Sequence, residues 1–448
     1  MIFTPFVIVS EDLDNKDIML IYNTLTTSLI SLSVNEYKRI FVDELYNEEE
    51  KKQLIKFGFL INSKEDVLNE LKRLKKRDLN KVSQIVTILT TTNCNARCYY
   101  CFEKGIKYYD MSNETANAVI EFLLSIFPKK ELGINWFGGE PLLNFSIIRY
   151  ITEKLKQNGY KLNCHLTTNG SLLTNEMVCY LKENYETITA QISIDDVDEK
   201  YGLVKRYLNI DNTLAYSRII DSISMLANNN ILVSVRINFA STHIASAKQI
   251  YARVQSDLEK RCPKENLYIY FAPLSLNDPK ENISGYKGME IHPYLQAVKI
   301  QFEEGYPINR LKYPEQYDLL AAFGLMPHSS ACGMCVENRY AIDANGDLYK
   351  CHRLVGKVKY RVGSVFKGPE KNNFYYNMYI TDDIYDNECK NCNILPICQT
   401  GCKANRLTIG DFAKCHKIKQ VQKELLSLYY RTLKRKEKTY DNNSKCNE

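Results

Sequence analysis

Cys94, Cys98 and Cys101 stand in a CxxxCxxC spacing, and seven further cysteines follow toward the C-terminus: Cys335, Cys351, Cys389, Cys392, Cys398, Cys402 and Cys415. Three thiolates can hold a four-iron cluster and leave one iron open to a substrate or cofactor, whereas larger sets close a cluster. The pattern predicts one open and two closed iron–sulfur sites, and so electron chemistry on a large substrate. Three cysteines alone make a poor structural zinc site, because a closed site needs four ligands. Two CxxC pairs also suit a zinc ribbon, so a zinc-binding adaptor without enzymatic activity is the alternative from a different class. Gly138-Gly139-Glu140 adds a second candidate. Glycines let backbone approach a ligand closely, and a carboxylate accepts hydrogen bonds from a ligand ammonium. The six histidines show no HExxH spacing of the kind zinc hydrolases use.

These residues need a scaffold, and the sequence supplies one. From Ser83 to about Ala272, strand and helix patterns alternate six times, with strands near Gln84–Thr91, Gly133–Phe137, Lys161–Thr167, Thr189–Ile194, Leu232–Asn238 and Leu267–Phe271. In the stretch Ser112–Phe127, apolar Ala116, Val119, Ile120, Leu123, Leu124 and Phe127 recur at helical spacing behind a serine suited to the N-cap. Such alternation implies a helix-covered parallel sheet. The fold class is therefore α/β: a partial (β/α)6 TIM-like barrel, with functional groups at the C-terminal strand ends. The three-cysteine loop follows the first strand, and the glycine pair ends the second.

Residues 1–82 read as a winged-helix-like module, with a hairpin of Phe6–Val9 and Ile18–Tyr22, short helices over Val34–Asp43 and Glu48–Phe57, and a strand at Gly58–Ile61. The barrel takes residues 83–290 and a bridging region residues 291–330. Residues 331–425 hold the later cysteines, with a hairpin over 340–351 turning at Asn345-Gly346. A basic tail, 426–448, ends in a polar stop expected to be disordered.

The chain has 448 residues, 45% hydrophobic and 25% charged, with a net charge of +6. That balance argues against a dedicated nucleic-acid binder. No signal peptide and no membrane-spanning run are read, which predicts a cytoplasmic protein. There, 15 cysteines serve metal rather than disulfides. Cys164, Cys179 and Cys262 match no cluster position and are expected to be small buried apolar residues. Cys446 lies in the tail.

The phrases TTNCNARCYYCFEKG, WFGGEPLL, LTTNG and ISIDD occur in this order at successive strand ends. Together they resemble the radical S-adenosylmethionine (radical SAM) superfamily across roughly Ile85 to Pro273. The resemblance implies that Cys94, Cys98 and Cys101 hold a [4Fe–4S] cluster whose open iron binds the amino and carboxylate groups of S-adenosylmethionine. It places Gly138, Gly139 and Glu140 against that cofactor, Tyr100 near the adenine and Ser193 at the ribose. The family's usual Ser-x-Asp-Gly reads here Ser193-Ile-Asp195-Asp196, which leaves the local turn open. Arg206 and Arg236 are both candidates to pair with the methionine carboxylate.

The later cysteines resemble the SPASM domain, an extension of radical SAM enzymes that act on peptides and proteins. It implies a first auxiliary cluster on Cys335, Cys351 and Cys402 and a second on Cys389, Cys392, Cys398 and Cys415, three [4Fe–4S] clusters in all. Cys332 is taken to complete the first; the alternative is an open iron for a substrate thiolate. His352 stands where sulfatase maturases usually carry an aspartate, which weighs against that activity. Peptide-modifying relatives often begin with a module that binds a precursor's leader, the reading given to residues 1–82. The expected function is hydrogen abstraction from a ribosomally synthesised precursor to form a thioether or carbon–carbon crosslink, with an external one-electron donor. Maturation of a sulfatase or a quinone-cofactor enzyme is the runner-up.

Overall fold

A computed structural model of the chain describes residues 1–79, 84–239, 244–273, 293–304, 320, 323–327, 332–380, 387–398, 401–408, 419 and 421–445. At the N-terminus, strand β1 (Ile2–Phe3) precedes a three-stranded antiparallel sheet of β2 (Val7–Glu11), β3 (Ile18–Asn23) and β4 (Leu29–Ser33). The expected hairpin is present, but β4 makes it a sheet. Helix α1 (Val34–Tyr37) follows, with a capping box at Ser33 and Glu36, and runs into a π-helical turn, Lys38–Val42. Helix α2 (Glu48–Lys56) starts at Asn47, whose side chain accepts from the Glu49 and Glu50 amides, satisfying two of the helix's orphan donors. Strand β5 (Leu60–Ile61) pairs with β1, and helix α3 (Lys64–Leu79) leads out of the module.

The barrel strands are β6 (Ile85–Leu89), β7 (Glu131–Phe137), β8 (Lys161–Thr167), β9 (Thr187–Ile194), β10 (Leu232–Phe239) and β11 (Leu267–Pro273). They pair in parallel in chain order. Between them lie α4 (Asn113–Ile126), α5 (Phe145–Gln157), α6 (Asn175–Asn184), α7 (Asp198–Lys205), α8 (Asn212–Asn228) and α9 (Ile244–Glu259). Along β7, β8 and most of β10 buried and half-buried residues alternate. Ile134, Trp136, Leu162, Cys164, Val233 and Val235 pack into the helix-covered core. Asn135, His165, Gln191, Ser193 and Arg236 stand on the other face, inside the barrel, as period-two geometry requires. The single tryptophan, Trp136, is fully buried and donates to Tyr185 Oη at 2.8 Å.

Helix α10 (Pro293–Glu304) is followed by a hairpin of β12 (Ala341–Ile342) and β13 (Leu348–Tyr349). Strand β12 pairs in parallel with β6, setting Ala341 opposite Thr87 and Ile342 opposite Ile88. The second cysteine region thus extends the barrel sheet at the strand that carries the first cysteine loop.

The C-terminal helix, Gln422–Lys445, lies along β2, where Ser10 Oγ meets Ser427 Oγ at 2.6 Å and Lys434 pairs with Asp12 at 2.6 Å. It is helical to Lys445, into the segment expected to be a disordered stop, and its first turns are anchored in a core. Leu425, Leu426 and Tyr429 share a core with Ile8, Leu20, Tyr22, Phe323 and Ile394. Cys179 is exposed rather than buried, Cys262 half-buried and Cys164 buried. Cys415 and Cys446 lie outside the described residues. No helix among the described residues is long and apolar enough to cross a membrane.

Candidate active site

The loop after β6 carries Cys94, Cys98 and Cys101, all half-buried. Its backbone is tied on every side: Thr92 N to Tyr109 O at 2.9 Å, Arg97 N to Lys205 O at 2.8 Å, and Glu140 N to Asn93 O at 2.9 Å. The two glycines make this closeness possible. Gly138 has φ +130°, and a Cβ there would strike the Thr91 carbonyl; one on Gly139 would strike the Asn93 carbonyl. Their backbone therefore approaches the cysteine loop, where the sequence suggested approach to a ligand. Cys94 Sγ accepts from the Ala96 amide at 3.3 Å, with Asn169 Nδ2 at 4.0 Å. Burial pushes the Cys94 thiol up to about 12 and Cys101 up to about 11. Such thiols keep their protons at neutral pH until a metal takes the proton's place, which fits a cluster site.

Glu140 is fully buried and draws three donors: Thr168 Oγ1 at 2.6 Å and Leu142 N at 3.1 Å on Oε1, and Asn169 N at 2.7 Å on Oε2. Burial pushes its carboxyl up to about 7, against those hydrogen bonds. Oε2 takes one donor and keeps a lone pair for a ligand.

Below the loop lies a buried polar network the sequence reading did not assemble. Lys205 Nζ sits 2.6 Å from Asp195 Oδ2, 2.7 Å from Ser193 Oγ and 2.8 Å from Tyr100 Oη. Tyr100 donates to Asp195 Oδ2 at 2.7 Å, and Asn238 Nδ2 to Oδ1 at 2.6 Å. Burial works against the Lys205 charge, but Asp195 and Tyr100 hold its ammonium well above the ordinary lysine range. Burial, then Asp195, raises the Tyr100 phenol. Tyr100 and Ser193 are thus brought together, with Lys205 between them.

The two candidate arginines separate. Arg206 is exposed, in the left-handed turn (φ 52°) that ends α7. Arg236 lies on β10 opposite Ser193 in register, and its Nε is buried with no hydrogen-bond partner among the described residues. An orphaned guanidinium nitrogen beside a polar cluster marks a place for an anionic ligand group.

Residues 88–240 match the Radical SAM superfamily. The chain carries a radical SAM domain. That assignment implies S-adenosylmethionine and a [4Fe–4S] cluster, and the half-buried thiols and the orphaned Arg236 fit both. A cysteine-type anaerobic sulfatase-maturating enzyme of Clostridium novyi (strain NT) is 24% identical over 344 residues, covering 70% of this chain and 86% of that protein. The radical SAM cyclopropyl synthase TigE of Paramaledivibacter caminithermalis (strain DSM 15212 / CIP 107654 / DViRD3) is 26% identical over 241 residues, 49% of each chain, so the match spans about half of TigE. The solved structure of native anSMEcpe with bound AdoMet and Kp18Cys peptide aligns with a TM-score of 0.60 at 19% identity, covering 79% of this chain and 99% of that one. At that identity the likeness is one of fold.

Beyond the radical SAM domain, the later cysteines fall into two groups. Cys332, Cys335, Cys351 and Cys402 all act on the phenol of buried Tyr379, which burial first and then these four raise. Cys332 and Cys335 share a side-chain hydrogen bond that, with burial, pushes the Cys332 thiol up; burial pushes Cys351 up to about 11. Cys389 accepts from Arg406 Nη2 at 3.4 Å, and Cys392 and Cys398 border the core under the C-terminal helix. Among the described residues these form loose groups, with no three cysteine, histidine or carboxylate side chains gathered at single-ion spacing. His352 faces the first loop: its ring lies 5.0 Å from Phe137 and 6.1 Å from Phe102, the residue after Cys101. Lys350, one residue before Cys351, went unremarked in the sequence; burial pushes it down to about 7 while Cys335 and Cys332 pull it back up.

Proposed function

We propose that this chain is a radical SAM maturase of a ribosomally synthesised precursor peptide, installing a crosslink with a thioether as the first expectation and a carbon–carbon bond as the second. The observation that carries the cofactor reading is the orphaned Arg236 nitrogen, one strand from Ser193, in a barrel whose β6 loop holds the three half-buried thiols. When bound, the cluster and S-adenosylmethionine supply an oxidising carbon radical that takes hydrogen from an unactivated C–H bond. Cys94, Cys98 and Cys101 would hold the iron. Arg236 would pair with the methionine carboxylate, in place of exposed Arg206. Glu140 Oε2 would accept from the amino group, and Tyr100 and Ser193 would border the nucleoside. Around them the Lys205–Asp195 pair keeps these hydroxyls in fixed positions.

Two further assignments belong to this reading. Cys332, Cys335, Cys351 and Cys402 would close the first auxiliary cluster, supported by their common surround of Tyr379. Cys389, Cys392, Cys398 and Cys415 would hold the second. Residues 1–82 would bind the leader by strand addition. The C-terminal helix covers β2, while among the described residues the outer side of β4 pairs with no strand. An external one-electron donor and a cytoplasmic setting complete the proposal.

The test is anaerobic incubation of reconstituted protein with reductant, S-adenosylmethionine and any short peptide encoded beside the gene, read by mass spectrometry. Loss of two hydrogens per modification with release of 5′-deoxyadenosine is expected. An unchanged peptide and conversion of a neighbouring sulfatase would establish the second reading, favoured by the 86% coverage of the sulfatase-maturating relative. Zinc as the sole bound metal would overturn both.

A further inference from the structure

The corner formed by Cys332, Cys335, Cys351 and Cys402 is ringed by buried positive charge. Lys350 is 1% exposed, and its Nζ reaches the carbonyls of Val336 at 2.7 Å, Glu337 at 3.1 Å and Arg339 at 2.8 Å. Three acceptors use three N–H donors, which only the ammonium form possesses. No carboxylate among the described residues pairs with it. The nearest, Glu337, is bonded to exposed Lys371 at 3.2 Å.

Three other donors share the corner. Lys403, 2% exposed, donates to Met378 O at 2.8 Å and Tyr379 O at 3.1 Å, and shares a hydrogen bond with Cys335. The Arg339 guanidinium lies over Gly333, in the turn between Cys332 and Cys335, where any Cβ would collide with it. Its Nε and the Tyr379 hydroxyl are buried without partners among the described residues. Lys350 is a buried cation with no carboxylate partner among the described residues, which is costly unless another anion is held beside it. The anion this arrangement fits is a thiolate-ligated cluster.

We propose that Lys350, supported by Lys403, Arg339 and Tyr379, is a positioning residue that raises the reduction potential of the first auxiliary cluster. The inference rests on the reading of those four cysteines as its ligands. Reduction adds one electron, taken from an external one-electron reductant, to a cluster that is already anionic; no bond is made or broken. A buried ammonium within a low-dielectric shell favours the more negative, reduced form.

The test is a dithionite titration of the anaerobically reconstituted full chain, followed by electron paramagnetic resonance, comparing wild type with K350M, K350R and K371M. In K350M one cluster signal should shift to lower potential by about 59 mV or more, a tenfold change in its reduced-to-oxidised ratio for a one-electron couple. The other signals should stay in place, and K350R and K371M should track the wild type. If K350M loses about four irons while K350R retains them, charge at this position is equally supported. Unmoved signals in K350M, or equal shifts or equal iron loss in K350M and K350R, would overturn the inference and leave Lys350 as a staple of the 336–339 turn. Wild-type protein without iron at this corner would instead overturn the cluster reading on which it stands.

Discussion

Lys205 Nζ lies 2.6 Å from Asp195 Oδ2, with side chains only 2% and 5% exposed. The same ammonium bonds Ser193 and Tyr100, so one buried ion pair joins the end of β9 to the cysteine loop. Removing one partner strands the other charge away from water. K205M and D195N are each expected to cost about 3–5 kcal/mol of folding stability. The double variant should cost less than the sum, because the two residues share one interaction. Denaturant melts of the four proteins check this. Since Lys205 is raised when folded, its contribution is full below the ordinary lysine value and is lost only as pH rises through the raised one. The penalty should therefore be the same at about pH 6 and about pH 9.

Glu140 titrates in the opposite region. Burial lifts its carboxyl from 4.5 to about 7 in the folded chain. A raised folded value means the contribution is full below 4.5 and lost as pH climbs through about 7. E140Q does not titrate, so the stability gap between wild type and E140Q should narrow between about pH 5 and about pH 8. The narrowing should not exceed about 3 kcal/mol. A gap that widens with pH would show that the three donors around Glu140 outweigh its burial.

Arg236 and Arg206 are separated by their surroundings. Arg206 is exposed, while Arg236 carries a buried nitrogen without a hydrogen-bond partner among the described residues. R236A is expected to weaken S-adenosylmethionine binding at least about tenfold, roughly 1.4 kcal/mol, with R206A near wild type. Equilibrium dialysis on reconstituted protein reads the difference.

The sheet edge gives a test of leader binding. Asn23 N donates to Ser28 O, which makes that pair a hydrogen-bonded one. Pairs alternate along an antiparallel ladder, so opposite Leu20 the amide of Ser31 points away from β3. S31P removes an outward donor and spares the ladder. The variant should fold like wild type and bind the precursor's leader at least about tenfold more weakly. Equal affinities, measured by fluorescence anisotropy, would remove β4 as the docking edge.

What was legible in the sequence follows from period. Strand β8 occupies the predicted Lys161–Thr167, and α4 starts after the predicted cap Ser112, because apolar alternation and capping chemistry are local. Long-range pairing left no local signal. Nothing in Ala341-Ile342 announces that it will lie beside β6. Strand β4 was missed because Leu29–Ser33 is short and follows a run of threonines and serine. At the end of α7, Lys205 is buried and its neighbour Arg206 is exposed in a left-handed turn, a split that no local sequence signal announces. Lys350 was invisible for a related reason: its meaning comes from three carbonyls that only the folded turn gathers.

The most direct check is 5′-deoxyadenosine release by the reconstituted wild type and by a C94A/C98A/C101A variant, each given dithionite, S-adenosylmethionine and the candidate precursor. The wild type should release it, and the variant should release none while keeping about eight irons. Release at wild-type rate by the variant would contradict the assignment of the β6 loop as the site of radical formation.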